Sequence, residues 1–251
     1  MEIMDAALKS QLHTFKELLA AHEKIVAFTG AGISTESGIP DYRSKDGIWK
    51  RFQPITLQEF IADENQRIEY WRRKTEMYAV IRKAQPNAGH QALAAFEDAG
   101  KLLGLITQNI DGLHQKAGSK KILELHGTNM ETICLDCGKI EHFDKVYERL
   151  LAGEEAPRCR GCQGLLKPNT ISFGQNLNMG VLEMSAKWAR TCDMMICAGS
   201  TLIVEPAASL PQTAKTYGAA LVIINKEPTP LDGIADLVVH TAIGDFLPHA
   251  I

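Results

Sequence analysis

The chain has no run near the ~18 consecutive apolar residues that a membrane-spanning helix requires, which excludes a helical integral membrane protein. It has little net charge, −3 over 251 residues. Without a basic field, the balance argues against strong non-specific nucleic-acid binding while leaving room for a local basic groove, and no direct nucleic-acid binding is expected. The one basic cluster, Arg67, Arg72, Arg73, Lys74, Arg82 and Lys83, reads as a solvated helix face. Internal repeats and low-complexity tracts are absent, so neither a solenoid nor a long disordered linker is indicated. Residues 1–23 carry amphipathic helical spacing (Leu8, Leu12, Phe15, Leu18, Leu19) with acidic residues among them. They contain no signal-type apolar region or small-residue cleavage site, so a cytoplasmic location is expected. A disulfide framework is also missing: outside one motif there are only Cys192 and Cys197, and Cys197 lies in an apolar run. A buried thiol and a reducing compartment follow.

What remains is an ordinary globular composition, 45% hydrophobic and 23% charged, with alternating strand and helix signals. Short apolar runs at 25–28, 102–106, 121–125, 194–198, 219–224 and 237–239 read as strands. Helices are expected over 88–99, 181–190 and 206–217, with helix-periodic residues over 55–85 and a short helix near 144–151. This alternation predicts right-handed βαβ units and an α/β fold with a doubly wound, Rossmann-like parallel sheet. The expected organisation is a Rossmann-like domain from 1–53, 86–128 and 169–251, a helical insert at 54–85 and a zinc-ribbon module at 129–168.

The strongest local signal is two CxxC pairs, Cys134/Cys137 and Cys159/Cys162. About twenty residues between pairs matches a four-thiolate zinc site. Four cysteines close a tetrahedron, so this zinc is expected to be structural. After the first strand come Gly30-Ala31-Gly32, where glycines permit a tight turn and close approach to a pyrophosphate at a helix N-terminus. Thr35 occupies the third fingerprint position, and a plain strand-to-helix turn is the competing reading. The loop from Thr107 to His114 follows a second buried strand, where parallel sheets bind ligands. Its Asn109 and Asp111 can face one way, or can cap the next helix as an Asx turn. His126, just after a strand, suits a general base. A zinc ligand or a satisfied core histidine are the alternatives, and His90 and His114 read as structural.

Taken together, these residues resemble the sirtuin family of NAD-dependent protein lysine deacylases along nearly the whole chain. The segment from Gly30 to Arg43 is similar to its first signature, Thr107–His114 to its second, and Leu125-His126-Gly127 to its catalytic histidine motif. The cysteine quartet, Phe173-Gly174 and Gly199-Ser200-Thr201-Leu202 resemble further family segments. The resemblance implies NAD as co-substrate and acyl-lysine proteins or peptides as partners of a monomer. The implied products are nicotinamide, O-acyl-ADP-ribose and free lysine. It implies catalytic roles for His126 (the base) and Asn109. It places Gly30, Ala31, Gly32, Ile39, Asp41, Tyr42, Arg43, Gln108, Asn109, Ile110, Asp111, Gly199, Ser200 and Asn225 around NAD, and Ile171, Phe173 and Gly174 along the acyl-lysine tunnel and a strand-like peptide groove.

Tyr42, Ser172, Gln175 and Asn178 depart from common family residues, the last three beside the groove. A Tyr-x-x-Arg pattern marks members that remove acidic acyl groups. Tyr70 and Arg73 have that spacing, but the family register points to Lys74 and Met77 instead, so acetyl is the expected group. An ADP-ribosyltransferase on the same scaffold, or a deacylase preferring acidic or longer acyl groups, is the competing activity.

Overall fold

The structure is a computed structural model that describes residues 5–42, 47 and 52–251. Six strands form one parallel sheet: β1 (Ile25–Thr29), β2 (Leu102–Thr107), β3 (Ile122–Glu124), β7 (Met194–Ala198), β8 (Ala220–Ile224) and β9 (Leu237–Val239), in the order β3-β2-β1-β7-β8-β9. Strand order reverses between β1 and β7, so a crevice opens beyond their carboxyl ends. β1 and β7 are buried at every position. Successive side chains feed opposite faces, as the two-residue strand period requires. Ile25, Ala27 and Ile196 join α1 (Ala6–Ala21) and α4 (Ala88–Asp98) on one face. Val26, Phe28 and Cys197 join α7 (Met179–Thr191) and α8 (Ser209–Thr216) on the other. Cys197 is a buried free thiol, as its apolar run suggests, and Cys192 is buried and free as well.

The helix-periodic stretch resolves into α2 (Leu57–Ala62) and α3 (Glu64–Lys83). Thr56 and Glu59 form a reciprocal cap on α2, and Asp63 caps α3. The break between them is therefore written in cap chemistry. α5 (Leu113–Ala117) follows the 107–112 loop.

The cysteine-bearing segment holds a small antiparallel sheet, β5-β4-β6, from β4 (Gly127–Cys134), β5 (Ile140–His142) and β6 (Leu166–Thr170), with α6 (Phe143–Leu151) against it. Its core is shared with α3. Tyr78 stacks 4.2 Å from Phe143, Trp71 lies 5.9 Å from the same ring, and the Tyr78 hydroxyl donates to Asp144 at 2.9 Å. Cys134 and Cys159 belong to this apolar cluster.

The glycine turn does not open an α-helix. Residues Ala31–Ser37 form a 3₁₀ helix that ends at Gly38 in the left-handed region. Thr35 donates its hydroxyl back to the Gly32 carbonyl at 2.9 Å, which favours the tighter turn over continuation.

Candidate functional site

Two loops interlock at the crevice. Gly32 donates its backbone N–H to the Gly199 carbonyl at 2.8 Å, and Gly30 donates to Ala198 at 3.2 Å. A Cβ on Gly32 would sit 2.8 Å from Gly199 Cα, and one on Gly30 would sit 2.9 Å from Ser200. Gly199 itself has φ +68, and a Cβ there would strike the Ile33 nitrogen. These glycines are required by backbone approach. Asn225 follows β8 beside this turn, since Gly199 N–H reaches the Ile224 carbonyl at 3.0 Å. Asn225 is buried and its amide donates to the Glu227 carbonyl at 2.6 Å.

The loop after β2 closes the other side. The Gln108 amide donates to Ser200 at 2.8 Å, tying the second signature to the Gly199 turn. Asn109 and Asp111 are both buried and converge on Ser34: Asn109 donates to its Oγ at 3.2 Å, and Ser34 donates to Asp111 Oδ2 at 2.7 Å. Burial pushes the Asp111 carboxyl above its ordinary pKa, against the opposing bonds from Leu113 and Ser34. Asp111 also takes the Leu113 N–H at 2.9 Å, so the ligand-facing and helix-capping readings hold together. A narrow cavity of ≈ 20 Å³ is lined by Ala31, Ser34, Ile39, Tyr42, Asn109, Ile110 and Asp111, with Met77 and Ile81 of α3. Asp41 flanks it in the same loop, whereas Arg43 lies outside the described residues. A larger hollow of ≈ 340 Å³ on the zinc module, among Glu141, Lys145, Glu148 and Arg160, mixes charges and contains none of the residues singled out above.

His126 is half-buried in the turn between β3 and β4, and its Nδ1 lies 3.0 Å from the Gln108 carbonyl. A carbonyl only accepts, so Nδ1 carries the proton and Nε2 of the neutral ring holds the lone pair. The His126 carbonyl in turn accepts from Ile171 N–H at 2.8 Å. Residues 171–172 leave β6 without regular structure and run into a turn at Phe173-Gly174, closed by Gln175 N–H on the Ser172 carbonyl at 3.0 Å and held by Leu57 N–H on the Phe173 carbonyl at 2.9 Å. Phe173 is 48% exposed, and Gly174 takes φ +79 and accepts from Gln58 at 3.3 Å. Gln175 and Asn178 act locally, one accepting from Ser172 N–H and the other capping α7.

The four cysteine sulfurs lie within 4.8 Å of one another, with Cys134–Cys162 at 3.5 Å and Cys137–Cys159 at 3.8 Å. A tetrahedron with Zn–S of ~2.3 Å has sulfurs about 3.8 Å apart. The quartet therefore fits a structural zinc ion, with no ligand position left for His126.

Tyr70 and Arg73 do not form an acidic-acyl clamp. Arg73 donates to Glu69 and to the Gln53 carbonyl, both at 2.6 Å, and lies over Phe52. Tyr70 is buried against Phe60 and Trp71. Lys74 donates to Asn129 at 3.3 Å, and Met77 reaches the cavity. The sequence points to the loop that holds Ser34 and to Met77 only as a register position, and it gives no sign of their convergence or of the buried polar chain behind them. That chain includes His90, His114, Thr29 and Thr107.

A sequence profile described as the Sir2 family matches residues 30–206. An NAD-dependent protein deacetylase of Thermodesulfovibrio yellowstonii is 45% identical over 97% of this chain and 95% of its own. One from Rhodopseudomonas palustris is 46% identical over 96% of each. Among solved structures, a Sir2 enzyme with a deacetylated peptide and 3′-O-acetyl ADP-ribose superposes with a TM-score of 0.89, at 36% identity over 95% of this chain and 96% of that one. A Sir2 complex with a peptide and NAD+ gives 0.86, at 36% identity over 94% and 95%.

Proposed function

The chain belongs to the Sir2 family, and from that premise we propose how its residues carry out NAD-dependent deacetylation of protein lysines. Bound NAD would supply an electrophilic ribose carbon with nicotinamide as leaving group; with one water consumed, the acetyl group passes to the ribose, and the products are nicotinamide, O-acetyl-ADP-ribose and free lysine. The interlocked glycine turns at 30–32 and 199–200 let backbone approach the pyrophosphate, with Asn225 beside the adenosine half. Asn109, Ile110 and Asp111, with Ile39, surround the nicotinamide and its ribose. Tyr42 and Met77 close that cavity against water.

His126 is the general base, its Nε2 accepting a proton from a ribose hydroxyl. The observation that carries this role is the Nδ1–H bond to Gln108, which fixes the tautomer and aims the ring from the signature loop itself. Ile171, Phe173 and Gly174 form the edge to which an acetylated peptide adds as a strand, with the acetyl-lysine running past Ile171 toward His126. Every side chain in this scheme comes from one chain, so a monomer suffices. Cys192 and Cys197, buried and outside the zinc quartet, suit a reducing cytoplasm.

The acyl group is acetyl. Arg73 is held by Glu69 and Gln53, and neither Lys74 nor Met77 supplies the phenol–guanidinium pair that receives a carboxylate. Mass spectrometry of acetyl-, propionyl- and succinyl-lysine peptides incubated with NAD and enzyme tests the reading. O-acetyl-ADP-ribose should dominate. Faster loss of succinyl than acetyl would overturn the acyl assignment, and nicotinamide release without any acyl peptide would overturn the deacylation scheme.

A further inference from the structure

Behind the narrow cavity lies a buried polar chain whose proton positions are set once Asp111 is the carboxylate. Ser34 Oγ has three neighbours: Asp111 Oδ2 at 2.7 Å, Asn109 Nδ2 at 3.2 Å and His90 Nε2 at 3.4 Å. A hydroxyl has one proton and two lone pairs. A carboxylate accepts and an amide nitrogen donates. Ser34 therefore gives its proton to Asp111 and receives one from Asn109, and its remaining lone pair faces His90. On the far side of the imidazole, the Asn87 backbone N–H points at Nδ1 at 3.4 Å, completing the cap of α4. That bond needs a lone pair on Nδ1, so the proton of the neutral ring sits on Nε2 and is donated to Ser34.

His90 is fully buried, and its pKa is pushed down to about 4 by burial. Its ring packs 4.9 Å from His114, which is held lower still, at about 3, by burial and then by His90. His114 continues the pattern. Its Nε2 meets Thr29 Oγ1 at 2.9 Å, Thr29 donates to Thr107 Oγ1 at 2.8 Å, and Thr107 Oγ1 accepts the Asn109 backbone N–H at 3.0 Å. Two uncharged imidazoles thus feed hydrogen bonds into one loop while placing no positive charge behind the cavity.

We propose that His90 is a positioning residue for NAD: as a neutral imidazole protonated at Nε2, it commits the single hydroxyl proton of Ser34 to Asp111. The proposal rests on the placement of nicotinamide and ribose beside Asn109 and Asp111. Without the His90 donor, Ser34 can rotate its proton toward the vacated side. Asp111 then loses a bond that favours its charged form and fixes its carboxylate.

Two substitutions separate this role from helix capping. Asn at position 90 offers an amide oxygen where Nδ1 was, keeping the Asn87 cap, but does not reach Ser34. Gln at that position offers an amide N–H where Nε2 was, keeping the bond to Ser34, but gives up the cap. The readouts are thermal midpoint and steady-state KM for NAD at saturating acetyl-peptide, with Ser34→Ala as reference. Expected is a three- to tenfold rise in KM for His90→Asn at near-native thermal stability, the size of one lost hydrogen bond. His90→Gln should have a lower midpoint but a KM within about twofold of the parent. The proposal is overturned if KM tracks the thermal midpoint, so that His90→Gln is the impaired variant, or if both variants keep the parental KM. Should Ser34→Ala also leave KM unchanged, the placement of NAD at this cavity fails and the relay falls with it.

Discussion

His126 can be removed without removing much else, and that makes its contribution measurable. The side chain is half-buried and engages the Gln108 carbonyl through Nδ1. Deleting one such bond costs on the order of 1 kcal/mol of stability. A positioned base, by contrast, contributes about 10²–10⁴-fold in rate, equivalent to ~2.7–5.5 kcal/mol of transition-state stabilisation. His126→Ala should therefore unfold only a few degrees below the parent while deacetylation falls by two to four orders of magnitude. His126→Asn sharpens the comparison. Its amide N–H can still reach the Gln108 carbonyl, so the loop stays in place, yet the side chain has no basic nitrogen. Both variants should lose turnover to a similar extent. The assay is single-turnover formation of O-acetyl-ADP-ribose, paired with NAD affinity from quenching of intrinsic fluorescence and with a thermal melt. NAD affinity within about threefold of the parent, with turnover abolished, is the expected outcome. Asn restoring turnover to within tenfold of the parent would mean that His126 merely orients the loop, and the base assignment would be wrong.

Phe143→Ala removes a fully buried ring from the core shared by α3 and α6, and should cost about 3–5 kcal/mol, read as a shift in the urea midpoint. Gly199→Ala adds a Cβ against the Ile33 nitrogen at positive φ, so NAD affinity should fall at least tenfold with little change in peptide KM, by titration calorimetry. Stability should also fall with acid below the ordinary histidine range. His90 and His114 have folded pKa values of about 4 and about 3 against about 6.5 unfolded, so the unfolded chain binds more protons between those values. Their contribution is complete above pH ~6.5 and is lost as pH drops toward 4, at up to ~1.4 kcal/mol per pH unit for each. Urea titrations at pH 7, 6 and 5 should show that slope, and a flat profile would contradict neutral burial of the pair. Chelation of zinc under reducing conditions should abolish the cooperative melt of the cysteine module, and a mercury-displacement assay should return one zinc per chain.

The parallel sheet was readable in the sequence because its central strands are buried on both faces. Met194–Ala198 is uninterrupted apolar residues and matches β7 end to end. The antiparallel sheet of the zinc module escaped the periodicity argument for the opposite reason. β6 runs Leu166-Lys167-Pro168-Asn169-Thr170, with a lysine and a proline where a buried strand would be expected to have neither. Lys167 is nonetheless fully buried, because its ammonium donates to the Pro168 and Thr170 carbonyls. The loops of the site were legible since each follows a strand and bears polar residues that a simple turn does not need. Their partners were not. Ser34 meets His90 across 56 positions and Asp111 across 77, and no local spacing encodes that convergence. His90 looked structural because it sits inside a helix, and the capping bond to Asn87 is indeed there. Its second bond is visible only when three segments are assembled.

The aromatic packing of Tyr78 and Trp71 on Phe143 has a thermodynamic corollary. α3 carries Met77 and Ile81 to the narrow cavity beside Asn109 and Asp111 on one side and rests on the cysteine cluster's own core on the other. Whatever factor zinc adds to NAD affinity by steadying that helix, NAD must add to zinc affinity, because the two occupancies form a closed cycle. At equilibrium, a higher concentration of a competing chelator should be needed to remove the metal when NAD is saturating.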